Sequence, residues 1–172
     1  MTPAGDQPAV DRGVEMLARR DHFAGELSQK LLEAGFAQVE IEAAVELLTR
    51  RGVLNDLALA TRKIVRWRQA GRSTAECQGR LEALGVPEDV IDAGLDAARV
   101  SHPDGDGIDP DLQNAVGLLK RWIAAERPLD PGRDIARLTG RLGRRGFESD
   151  TIRAALRHCG LEDDPSFEEP HA

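Results

Sequence analysis

The sequence predicts an all-α protein built from three tandem three-helix modules. Two observations carry this. A helix–Gly–helix pattern occurs three times, and the periodic segments repeat at helical spacing with none alternating at period two. The core is aliphatic: hydrophobic residues make up 41% of the 172 residues but aromatics only 3%, with no Tyr, a composition suited to helix-on-helix packing.

Module one spans residues 8–55. Its stretch "RRDHFAGELSQKLLEAGF", residues 19–36, is an amphipathic helix closed by Gly35. Related stretches follow, "TAECQGRLEALGV" at 74–86 and "IARLTGRLGRRGF" at 135–147. Aligned on Gly35, Gly85 and Gly146, the copies place Lys30, Arg80 and Arg141 in one column and Leu31, Leu81 and Leu142 in the next. Further columns hold Leu27/Cys77/Leu138, Ile41/Ile91/Ile152 and Val45/Leu95/Leu156. The apolar pairs on either side of each Gly are four residues apart, so each pair shares a helical face. The Gly itself follows the last turn, where a left-handed residue ends a helix without steric cost.

A further helix precedes each pair, with Leu17, Trp67 and Trp122 in register. In module two, residues 56–100, Ser73 followed by Glu76 reads as a capping box, the hydroxyl taking an orphan N–H and the carboxylate reaching back. Pro87 suits the first turn of the sixth helix. The stretch "SHPDGDGIDP", residues 101–110, is a polar linker rich in Gly and Pro; it lacks the alternating ligands and closing Glu of a calcium loop, so it reads as a hinge. Module three, residues 111–162, needs extra residues before its second helix, and "RPLDPG" supplies them as a longer loop. Residues 163–172 form an acidic tail. Each module is small, so neighbours are expected to share apolar surface as in solenoids.

The net charge of −7 argues against a protein that coats nucleic acid indiscriminately. The charge is unevenly spread: module one carries −2, module two 0, the linker −3, module three +3 and the tail −4. A basic module is thus flanked by two acidic segments.

Within that module Arg133, Arg137, Arg141 and Arg144 fall inside an arc of roughly 80°, opposite Ile135, Leu138 and Leu142. A solvated face explains any one of these arginines. Four together with no acid on the stripe suit phosphates or an acidic partner better, because ordinary surface faces mix signs. Arg145, and Arg153 and Arg157 on the next helix, extend the candidate surface. A second cluster, Arg62, Lys63, Arg66, Arg68 and Arg72, runs through the fourth helix and its exit; its charges go nearly all the way round, so some belong to structural pairs. The column that Trp67 and Trp122 share with Leu17 assigns them to the core rather than to base stacking.

A DNA-reading helix-turn-helix would need a basic second helix. Module one offers Glu40, Glu42 and Glu46 there, and module two Glu88, Asp89, Asp92 and Asp96, which phosphates repel. Only module three, with Arg153 and Arg157, remains eligible.

No catalytic function, cofactor or metal is expected. His22 and His158 lack a nucleophile and acid at workable spacing, P-loop and Rossmann glycine patterns are missing, and two cysteines make neither a disulfide framework nor a zinc site. Cys77 reads as a buried apolar filler. With no apolar run of membrane-spanning length and no signal-type N-terminus, the protein is expected to be cytoplasmic, to make no membrane contact and to be a monomer.

The chain resembles the RecX family, bacterial regulators of the RecA recombinase. The residues that carry the likeness are "RRDH…ELSQKLLEAGF" at 19–36, "LLTRRGVLNDLALA" at 47–60 and "GRSTAECQGRLEALGVPEDVIDAGL" at 71–95. The likeness covers about residues 9–160. It implies an elongated, curved molecule that lodges in the groove of the RecA–single-stranded DNA filament and modulates, most simply inhibits, its recombinase, ATPase and coprotease activities. Naked single-stranded DNA is then a weak or indirect ligand. The chain departs from the family where Phe23 replaces the usual Ser, where residues 53–56 read "VLND" rather than "YLDD", and in the less basic "QGRLEALG". The alternative from another class is a helical DNA-binding or protein-interaction adaptor without a recombinase partner.

Overall fold

In the computed structural model the described residues are 8–101, 109–125 and 131–161. Most of the linker, residues 102–108, and the tail lie outside them. The described residues form nine helices and no strand: α1 (Pro8–Arg19), α2 (Ala24–Glu33), α3 (Gln38–Arg50), α4 (Asp56–Gln69), α5 (Thr74–Ala83), α6 (Glu88–Ser101), α7 (Pro110–Ala125), α8 (Pro131–Gly143) and α9 (Ser149–His158).

The aligned columns become the core. Leu27, Cys77, Leu138, Leu31, Leu81 and Leu142 are fully buried, and Ile41, Ile91 and Ile152 nearly so. Only the last column is mixed, with Leu156 buried but Val45 and Leu95 half-buried. The repeated glycines adopt left-handed backbone, with φ of 91° at Gly35, 72° at Gly85 and 83° at Gly146. Each leaves the next N–H, that of Phe36, Val86 or Phe147, bonded back to the leucine carbonyl of the preceding helix. Pro87 sits one residue ahead of the first turn expected for it, and its carbonyl accepts from Val90 and Ile91.

The chain divides into two compact units. Unit 1 comprises Met1–Ile64 and Gly79–Ala98. Its main core joins α1, α2 and α3 through Ala9, Val10, Leu27, Leu31, Ile41, Ala44 and Leu48, and Leu54 seals the exit. α6 approaches α4 closely at Gly94, where a Cβ would lie 3.2 Å from both the Ala60 Cβ and the Ile64 Cδ1. Unit 2 comprises Val65–Gln78 and Arg99–Ala172. Its core joins α7, α8 and α9 through Ala115, Val116, Leu118, Leu119, Leu138, Leu142, Phe147, Ile152, Ala155 and Leu156, with Leu112, Trp122, Ile123, Ile135, Cys159 and Leu161 packed around it.

Two helix starts are answered by an aspartate more than thirty residues further on. Phe23 precedes α2 and offers no side-chain oxygen; its ring is buried instead. The Ala24 N–H donates to the Asp56 carboxylate at 2.9 and 3.1 Å. In unit 2 the same task falls to Asp111, whose carboxylate accepts from the Thr74 N–H at 2.9 and 3.0 Å and from the Thr74 hydroxyl at 2.9 Å. Ser73 Oγ accepts from the Glu76 N–H at 3.1 Å, which is the first half of the expected capping box. The second half is rearranged: the Ser73 N–H donates to the Arg145 carbonyl at 3.1 Å, and Glu76 pairs with Arg72.

Candidate partner-binding site

The arginine stripe begins on α8. Pro131 opens that helix, where its missing N–H is no loss, and Leu138 and Leu142 tie one side into the core. The Arg133 side chain falls outside the described part of the structure. Arg137 and Arg144 are exposed, and Arg141 is half-buried. The expectation of a stripe without acids is corrected here: Asp134, at the edge of the arc, pairs with Arg137 at 2.9 Å.

The end of α7 completes the site. Trp122 is packed against the unit 2 core on one part of its surface, as the column predicted, yet its ring also carries cations. The Arg141 guanidinium lies 4.1 Å from the ring centroid and that of Arg145 5.6 Å, both within cation–π range. Arg145 also donates to the carbonyls of Ala70 at 2.9 Å and Gly71 at 3.3 Å, just past the C-terminus of α4, where a cation complements the helix dipole. Its guanidinium therefore has a structural task within unit 2. Burial lowers the Arg145 pKa, and repulsion from Arg72, Arg141 and Arg121 lowers it further. Arg145 thus feels three other guanidiniums and shares the Trp122 indole with one of them, Arg141. An arginine stays protonated under such conditions, so the cost is concentrated positive potential. Arg121 was not among the residues expected here; its neighbour Lys120 and the adjacent Trp122 were the available signal.

The other cluster is divided between the two units. Arg62 and Lys63 belong to unit 1, where Arg62 pairs with Asp21 at 3.0 Å and the Lys63 ammonium lies 6.0 Å from the Phe23 ring centroid. Arg66, Arg68 and Arg72 belong to unit 2. There Arg66 is exposed and Arg68 half-buried, while Arg72 pairs with Glu76 at 3.1 Å. On α9, Arg153 pairs with Asp150, and Arg157 is exposed in the last turn.

His22 is buried in unit 1 with its Nδ1 3.0 Å from the Glu26 carboxylate. Burial alone would raise the Glu26 pKa, but Arg20 and His22 outweigh it and hold the carboxyl below its ordinary value. Burial raises the Cys159 thiol, opposed by nearby Lys120. Among the described residues no three His, Cys, Asp or Glu side chains are arranged to hold a metal, and no helix is long and apolar enough to cross a membrane.

A family model described as RecX, first three-helix domain, matches residues 9–51. A regulatory protein RecX from Trichlorobacter lovleyi is 37% identical over 142 residues, covering 81% of this chain and 88% of its own length. The chain belongs to the RecX family. Another RecX regulatory protein, from Xanthomonas axonopodis pv. citri, is 33% identical over 159 residues, which is 92% of this chain and 91% of that one. The RecX fold itself is seen in a crystal structure of RecX from Lactobacillus salivarius, which superposes with a TM-score of 0.71 at 15% identity, covering 89% of this chain and 95% of that one. A second crystal structure of regulatory protein RecX gives 0.68 at 18% identity over 88% of this chain and 74% of its own. These relatives are named as regulatory proteins rather than enzymes.

Proposed function

We propose that this RecX-family protein binds the RecA–single-stranded DNA filament and inhibits its ATPase, recombinase and coprotease activities. The observation that carries the site is the stacking of the Arg141 and Arg145 guanidiniums on Trp122 in unit 2, with Arg72 and Arg121 adding positive potential at Arg145. Such a face attracts phosphates or the carboxylates of an acidic protein surface. Arg144 is exposed one residue before Arg145, and Arg133 and Arg137 lie on the same arc of α8. The net charge of −7 opposes tight binding to naked DNA, whose non-specific affinity comes from counterion release. The protein acts as a cytoplasmic monomer without a cofactor.

The test replaces Arg133, Arg137, Arg141 and Arg144 with Glu. Filament affinity is expected to fall roughly tenfold or more, equivalent to about 1.4 kcal/mol, with inhibition of ATP hydrolysis falling in parallel and the salt dependence flattening. Glu at Arg50, Arg51 and Arg99 is the control and is expected to change filament affinity little. Equal losses in both variants would show that overall charge steers the encounter, and no loss in either would make the stripe a solvated face. Naked single-stranded DNA binding as tightly as the filament would favour a DNA-binding adaptor instead.

A further inference from the structure

The two guanidiniums on the Trp122 indole are held in different ways. That of Arg145, 5.6 Å from the ring centroid, is anchored beyond the stack, because its Nη1 donates to the carbonyls of Ala70 and Gly71. That of Arg141 lies closer, 4.1 Å from the centroid. We infer that Trp122 is a positioning residue: its ring, rooted in the unit 2 core, holds the Arg141 guanidinium in place for an oxyanion of the partner. The benefit to the partner rests on the proposed function; the ordering of Arg141 does not.

Three observations lead there. The first is the double duty of the ring. Trp122 packs on the unit 2 core yet stays half-buried, so an indole fixed by apolar packing still offers ring surface to a cation. The second is the nature of the side chain it meets. An arginine surrenders much rotamer freedom when it makes a fixed contact. A guanidinium already stacked on a ring has given up part of that freedom before the partner arrives, and such ordering raises affinity without adding a contact.

The third observation is the comparison with the other two copies of the repeat. The columns that contain these residues read Leu17, Trp67 and Trp122; Lys30, Arg80 and Arg141; and Ala34, Leu84 and Arg145. The third copy alone joins a tryptophan to two arginines. Module one places Leu17 against its own core in the Trp122 column, so the three-helix module needs an apolar side chain there but no aromatic face. The Arg145 column is apolar in the other two copies, so the repeat does not demand a cation there either. The combination therefore belongs to what module three does rather than to how it folds.

The test compares two replacements of Trp122 in a Trp67→Phe background. Trp122→Leu installs the residue that module one carries in this column. A tetrafluorinated tryptophan nearly keeps the shape of the ring but withdraws the electron density that attracts a cation. Without any partner, the Arg141 Nε–H resonance, assigned through Arg141→Lys, is expected to be displaced by the indole ring current. It should move towards its free-chain position in both replacements, and a signal that moves in neither overturns the proposal. With the filament, both replacements should weaken binding roughly two- to fivefold, the size of an exposed cation–π contact. Neither should weaken it further once Arg141→Gln is present. Losses that add to that of Arg141→Gln overturn the proposal, because Trp122 would then act through something other than Arg141. A loss in Trp122→Leu that the fluorinated ring does not share also overturns it, since shape rather than ring electrons would explain the effect. Should Trp122→Leu fail to fold, the fluorinated chain decides alone, and unchanged filament affinity overturns the proposal. If the chain with native Trp122 does not bind the filament the proposed function fails, while the Arg141 resonance still decides the ordering.

Discussion

The start of α2 in unit 1 and the start of α5 in unit 2 solve one problem with different security. In both, an aspartate from the opening turn of a later helix accepts the first N–H of the earlier one, Asp56 for Ala24 and Asp111 for Thr74. At α5 the cap is reinforced. Ser73 Oγ takes a second orphan donor, the Thr74 hydroxyl adds a bond to Asp111, and the Ser73 N–H reaches the Arg145 carbonyl. At α2 the residue in the place of Ser73 is Phe23, which is buried and has no capping oxygen. The same repeat position thus serves packing in one unit and hydrogen bonding in the other. The aspartate it leaves alone becomes correspondingly more important.

The glycines give the largest test of this contrast. Gly146 and Gly85 occupy one repeat column and share a left-handed φ, but a Cβ on Gly146 would lie 2.6 Å from Ser73 Oγ and 3.0 Å from Glu76 Cβ, whereas at Gly85 it meets nothing within 4 Å. Gly146→Ala is expected to cost about 3 kcal/mol or more, combining left-handed strain with overpacking. Gly85→Ala should cost only the strain, about 1–2 kcal/mol. Equal shifts in denaturation midpoint would break the distinction between a packed and an open turn.

The caps come next. Asp56→Ala should lower stability by about 1–2 kcal/mol, the usual cost of losing a cap, and Asp111→Ala by less, because Ser73 still holds the α5 start. Combining Ser73→Ala with Asp111→Ala should then cost more than the two single changes added together. A thermal melt in which Asp111→Ala is the more damaging single change would reverse the proposed ranking.

The smallest effect is a pair of opposed pH dependences. Burial raises the Asp56 pKa against the lowering effect of Ala24's hydrogen bond. Its contribution is therefore present in full below the ordinary value of 3.8 and fades as pH rises through the folded value. Glu26, held low by Arg20 and His22, contributes above its ordinary value of 4.5 and loses that contribution as pH falls through the folded value. Asp56→Asn keeps an acceptor oxygen for Ala24 without a charge to desolvate. It should cost less than Asp56→Ala and remove the loss towards neutral pH, while Glu26→Gln should remove the loss in acid. Melting temperatures across the acid range separate the two; an unchanged profile in either variant would remove that group from the account.

Much of this fold is legible in the sequence because burial repeats. Leu27, Leu31 and Ile41 and their counterparts are spaced by helix geometry alone, and the glycine column marks where each helix stops. The caps were not legible in the same way. The oxygen missing at Phe23 was visible, but its replacement comes from Asp56, 32 residues further on, and no local pattern announces a partner at that distance. The candidate site divides similarly. Helical phase places Arg137, Arg141 and Arg144 on one arc, whereas the pairing of Arg137 with Asp134 depends on side-chain conformation and the duty of Arg145 depends on where α4 ends. Trp122 was readable as a core residue from its column; that its ring also receives two guanidiniums required three dimensions.

The shared caps also bear on the order in which the molecule is completed as it leaves the ribosome. When residue 51 has emerged, α1, α2 and α3 are all present, yet the acceptor for Ala24 is still unsynthesised. α2 is finished by a residue made later, and α5 waits likewise for Asp111. These two helix starts stay provisional until a later stage of synthesis closes them, which favours growth from the first helices outward. α8 departs from this dependence. Its first residue is Pro131, which has no N–H to satisfy, so the donor that Ala24 and Thr74 present at this position is not there to await an acceptor.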